Sequence, residues 1–130
     1  GEIACQRISD DGIDEIRALH YQMAAHHKRR EFSQYFGLNQ QIHENIMAAT
    51  GNATLAIMYA SLAARIRMAR YRANFSQLRW DQAMAEHDEI LSALTERDGP
   101  RLTRVLSAHL KNTCETVKKV IFNAEAEEAP

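Results

Sequence analysis

The chain has 130 residues, 45% of them hydrophobic and 25% charged, with a formal net charge of −1. That is the length and balance of one globular domain able to bury a core, without the dominant basic field that would let this chain alone grip nucleic acid, although a local patch stays open. Neither a signal peptide nor an apolar run near ~18 residues is present, so neither export nor a membrane span is predicted.

Cys5 and Cys114 form neither a disulfide framework nor a CxxC metal site and suit a reducing cytoplasm. Five glycines and two prolines are too few to punctuate a many-stranded sheet. Long stretches rich in Ala, Leu, Met, Glu and Arg favour helices, so the fold is predicted to be all-α.

Residues 1–7 include apolar Ile3, Ala4 and Cys5 but no helix start signal, and read as the tail of a preceding element. Ser9-Asp10-Asp11 opens the first clear helix, which runs to about Arg29 on an inner stripe of Ile13, Ile16, Leu19 and Met23. His20 and His27 fall near the same stripe. A second helix covers about Glu31–Thr50, with Gly51 suited to its C-terminal stop and Asn52 to capping the next helix. Asn39 and His43 project from one side of it, one turn apart, among Phe32, Tyr35, Phe36, Ile46 and Met47. The third helix, about Ala53–Ala73, carries Leu55, Met58, Leu62, Ile66 and Ala69 as its expected inner stripe and ends in Arg65, Arg67, Arg70 and Arg72.

After a loop or short turn at about Asn74–Leu78, a fourth helix spans about Arg79–Arg97, with Trp80, Ala83, Met84, Ile90, Leu91 and Leu94 inward and His87 among them. Asp98-Gly99-Pro100 is the strongest breaker in the chain. The last helix runs from about Arg101 to Asn123 on Leu102, Val105, Leu106, Val117, Val120 and Ile121, with His109 in phase, before a frayed acidic end at Glu125–Pro130.

Burying Asn39 or His43 without a partner would cost ~2–7 kcal/mol each. His43, His87 and His109, on three different helices and with Asn39 beside the first, form a candidate cage for a divalent metal. The other reading is that each is a core histidine satisfied by its own hydrogen bond. No HExxH or paired ExxH motif decides between them. Arg67, Arg70 and Arg72 read as a solvated face, whereas Arg65 lies closest to the apolar stripe and is the candidate for gripping a carboxylate. Tyr35, Tyr59 and Trp80 are candidate walls of a ligand pocket, although such aromatics are more often core or interface residues. Cys114 reads as a small, buried or half-buried side chain.

The ordered set Asn39-x-x-x-His43, Gly51-Asn52, Glu86-His87-x-x-Ile90-Leu91, Arg97-Asp98 and His109-Leu110 resembles the FCD domain of GntR-type bacterial transcription regulators, in their FadR-like branch. The resemblance implies an antiparallel bundle of about five to six helices, with a metal on Asn39, His43, His87 and His109. The cation would be divalent: zinc, with nickel, manganese or iron as the alternatives. It further implies a neighbouring pocket for a small organic acid, for which Arg65, Tyr35, Tyr59 and Trp80 are the candidates read from this chain's own pattern. It also implies a homodimer that reaches operator DNA through a separate N-terminal winged-helix domain. Asn39 stands where the family has aspartate. Neither the winged helix nor the first helix of the bundle is recognisable, apart from the latter's end at 1–7, so the chain is expected to be one effector-binding domain of a longer, cytoplasmic regulator. Three imidazoles with an open position would also suit a small metalloenzyme, although Glu86 points about 100° from His87 on a helix and no general base is evident. A metal-free helical interaction domain is the third reading.

Overall fold

The computed structural model describes residues 1–73 and 76–127, and of 63–66, 68–73 and 120–127 the backbone alone. Those residues form six helices: α1 (Glu2–Arg7), α2 (Asp10–Lys28), α3 (Phe32–Ala49), α4 (Ala53–Ala73), α5 (Gln77–Thr95) and α6 (Gly99–Glu127). The all-α expectation holds, with ends shifted by a few residues. No helix among the described residues is long and apolar enough to cross a membrane.

Local chemistry sets most of the boundaries. Ser9 Oγ accepts from the Gly12 amide at 3.1 Å and Ser76 Oγ from the Arg79 amide at 3.2 Å, so α2 and α5 each start behind a serine cap. Asn52 Oδ1 caps α4 by accepting from the Leu55 amide at 3.0 Å, after Gly51 turns the chain at φ +64°. Helix α5 begins two residues before the expected Arg79 because Ser76 supplies the cap.

Residues 2–7, read from the sequence as the end of a preceding element, are helical. The short α1 has no side-chain cap at its start, and tertiary contacts hold it: Ala4 and Cys5 are buried. At its far end the Arg97 guanidinium donates to the carbonyls of Cys5 (3.2 Å) and Ile8 (2.8 Å).

The bundle is antiparallel where side chains lock the register. Along α2, Arg17, His20 and His27 meet Thr95, Asp88 and Asp81, descending α5 as α2 ascends. Between α5 and α6, Arg79 meets Thr113, Glu86 meets Asn112 and Glu89 meets Arg101, again in opposite order. The core between them contains Ile13, Ile16, Met23, Tyr35, Ile42, Ile46, Trp80, Ile90, Leu94 and Leu102.

Two expectations are corrected. The stripe of α4 does not face the core: Leu55, Met58 and Leu62 are exposed, as is Ile57 at 70%. Periodicity tells which residues share a face, not which face meets neighbours; α4 packs chiefly against α3 and α6. Cys114 is exposed, on the outer side of α6. Ile66, Ala69, Val120 and Ile121 lie outside the described side chains, as do Arg70 and Arg72; Arg67 is exposed, as expected.

Candidate metal centre

The helical phase that buries Tyr35, Phe36, Ile42 and Ile46 also turns Asn39 and His43 inward on α3. On α5 the same rule buries His87 between Met84 and Ile90, and on α6 it buries His109. The three imidazoles converge. Ring centroids are 5.1 Å apart for His43–His87, 5.1 Å for His43–His109 and 4.9 Å for His87–His109. One ligating atom from each lies within 4.8 Å of the others, and all three residues are buried.

That arrangement fits a metal ion. Three nitrogens at ~2.1 Å from a tetrahedral zinc sit about 3.4 Å apart, a closure that asks each ring to move by about 1 Å at most. Imidazole is a borderline donor suited to zinc, nickel, copper or iron. Asn39 is also buried, at 4% exposure, one turn before His43. An ion held by neutral imidazoles, with or without this amide, would find no compensating charge among those ligands.

The remaining histidines go elsewhere. His20 Nε2 lies 2.8 Å from Asp88, His27 Nε2 2.8 Å from Asp81, and His26 Nδ1 2.5 Å from Glu31. Each has a carboxylate partner, which accounts for histidines close to the inner stripe of α2 that helical phase alone left undecided.

A carboxylate that helical phase alone directs away from His87 reaches the cluster from outside. Glu86 Oε2 lies 2.6 Å from His109 Nδ1 and 2.9 Å from Arg79 Nη2, while Oε1 accepts from Asn112 Nδ2 at 2.7 Å. Burial alone would push the Glu86 carboxyl up, but the hydrogen bonds from His109, Arg79 and Asn112 outweigh it and hold the group down at about 2. Arg79 is itself 4% exposed and also donates to Thr113 Oγ1 at 3.1 Å. The register of α5 against α6 brings Glu86 to His109, a contact that helical phase on α5 does not announce.

Of the four residues expected along an acid pocket, Tyr35 and Trp80 pack together, with ring centroids 5.3 Å apart, alongside His27 and Phe32. Burial pushes the Tyr35 phenol far above its usual range, with Arg79 opposing the shift. Tyr35 Oη, Tyr59 Oη and Trp80 Nε1 are buried with no hydrogen-bond partner among the described residues. The Arg65 side chain lies outside the described residues.

A family model described as the FCD domain matches residues 1–112. No curated protein and no solved structure matches the chain.

Proposed function

The chain belongs to the FCD domain family, and from that premise we propose that it senses a small organic acid through a divalent metal held by His43, His87 and His109, with Asn39 as a fourth protein ligand. FCD domains are the effector-binding domains of GntR-type transcription regulators, which are not enzymes. The observation that carries the reading is the convergence of three buried imidazoles from α3, α5 and α6, with ligating atoms within 4.8 Å of one another.

Zinc is the first choice, because an imidazole-rich set favours it over manganese, with nickel and iron next. Three imidazoles leave the fourth position of a tetrahedral zinc for an exogenous oxygen, and with Asn39 also bound the ion takes one by expanding to five-coordinate. An ion facing only neutral protein donors favours an anionic occupant, so a carboxylate is the effector group. Arg65, Tyr35, Tyr59 and Trp80 are the proposed residues of the acid pocket. Three buried donors without acceptors among the described residues, Tyr35 Oη, Tyr59 Oη and Trp80 Nε1, support that assignment.

The physiological form is a cytoplasmic homodimer joined to operator DNA through winged-helix domains. An acid that binds one dimer arrangement more tightly than another shifts their populations and thereby the DNA affinity.

The test is a two-stage titration of the purified chain stripped with chelator. Zinc uptake is expected at one ion per chain by elemental analysis. Calorimetry with acetate, succinate and citrate is then expected to detect binding to the loaded protein and none to the stripped one. A folded chain with no stoichiometric metal overturns the reading, as does acid binding indifferent to metal removal.

A further inference from the structure

Glu86 is held more firmly than an acid at the margin of a core needs to be. Its carboxylate lies 2.6 Å from His109 Nδ1 and accepts from Arg79 Nη2 and Asn112 Nδ2 at 2.9 and 2.7 Å. Arg79 is fixed in turn by Thr113 Oγ1, which accepts from it at 3.1 Å and donates to the His109 carbonyl at 2.9 Å. The network therefore closes on His109 from two directions, through its ring and through its backbone.

An ionised carboxylate can only accept. Facing Glu86, His109 must donate, so its proton sits on Nδ1 and its lone pair on Nε2. A histidine whose second nitrogen donates to a carboxylate is oriented for, and made a stronger donor to, an ion at the first. Among the described residues, no aspartate or glutamate stands with the three histidines in the cluster itself. The residue one turn before His43 is the neutral Asn39.

We propose that Glu86 is the positioning residue of the metal centre, fixing His109 with Nε2 toward the ion and supplying from behind the ring the negative charge that Asn39 does not. This rests on the metal-sensor reading, but it concerns a residue that does not touch the ion. Arg79, Asn112 and Thr113 hold the carboxylate in place, and each comes from α5 or α6, the helices that carry His87 and His109.

Two measurements test it. Long-range proton–nitrogen NMR of the metal-free parent is expected to show His109 protonated at Nδ1 and bare at Nε2; the opposite tautomer overturns the proposal and needs no variant. Competition with a chromogenic chelator is expected to show zinc held 10–100-fold more weakly by Glu86→Gln than by the parent. Equal affinity in a folded E86Q overturns the role of Glu86 and leaves the sensor reading standing. A parent that takes up no zinc overturns both. If E86Q does not fold, the parent tautomer decides alone.

Discussion

In the proposed centre, Asn39 would set the electrical character. It is buried on α3 a single turn from His43, and it brings an oxygen without a charge. Asn39→Asp would place a carboxylate there with almost no change of shape. Its attraction to a divalent ion is large in a site of low effective dielectric, and part of it is lost to desolvation of the acid. We expect N39D to hold zinc at least about tenfold more tightly, ~1.4 kcal/mol, in chelator competition. The stripped N39D chain should melt below the stripped parent, because a carboxylate buried without a counter-charge disfavours folding. Unchanged zinc affinity would remove position 39 from the ion's reach. The histidines of this centre were legible in the sequence because each lies in phase with apolar residues of its helix that do pack inward, although phase alone did not separate them from His20 and His27. Glu86 was not, since its contact with His109 spans 23 residues and depends on how α5 slides against α6. Arg79 was missed for a similar reason: a charged residue in the first turn of a helix reads as exposed until Glu86 and Thr113 are seen beside it.

At the scale of the helix, the junction between α3 and α4 joins local chemistry to tertiary contact. Gly51 adopts a φ of +64°, where a Cβ is costly for any L residue. A Cβ there would also fall 2.6 Å from Arg7 Nη1, the atom that donates to the Thr50 carbonyl at 2.9 Å and so caps α3 from α1. The Arg7 side chain can swing away, but only by giving up that bond. Gly51→Ala should therefore cost about 2 kcal/mol, the left-handed penalty of ~1 plus a hydrogen bond of ~1. A shift of the urea midpoint at unchanged slope checks it; a neutral substitution would mean that Arg7 caps nothing. This stop was readable as Gly-Asn. The stop of α5 was readable too, from Asp98-Gly99-Pro100, but not the residue that makes the turn: Arg97 occupies the left-handed position at φ 54°, where propensity favours glycine or asparagine. Its guanidinium contacts with Cys5, Ile8 and Asp10 offset the strain, and no local pattern announces contacts about 90 residues away. The exposed face of α4 escaped for the complementary reason: Leu55, Met58 and Leu62 repeat at helical spacing, yet only packing reveals which way they turn.

Across the whole molecule, the three imidazoles come from helices that are otherwise joined by apolar packing and a few polar locks. An ion shared by His43, His87 and His109 would tie α3, α5 and α6 together at one buried point. A ligand bound by the folded chain and not by the unfolded one stabilises by an amount set by its concentration relative to Kd, ~2.7 kcal/mol at a hundredfold excess over Kd. For a chain of 130 residues, with an unfolding entropy of ~2.1 cal/mol/K per residue, that corresponds to a rise of about 10 °C in Tm. Circular dichroism melts with zinc at that excess and with chelator should show the difference. His109→Ala should abolish it while leaving the His20–Asp88 and His27–Asp81 pairs to hold α2 on α5. The variant separates the buried centre from zinc taken up at those partly exposed histidine–carboxylate pairs, which it keeps. A rise of equal size in H109A would assign the stabilisation to them, and the coupling of metal to the bundle core would fall with it.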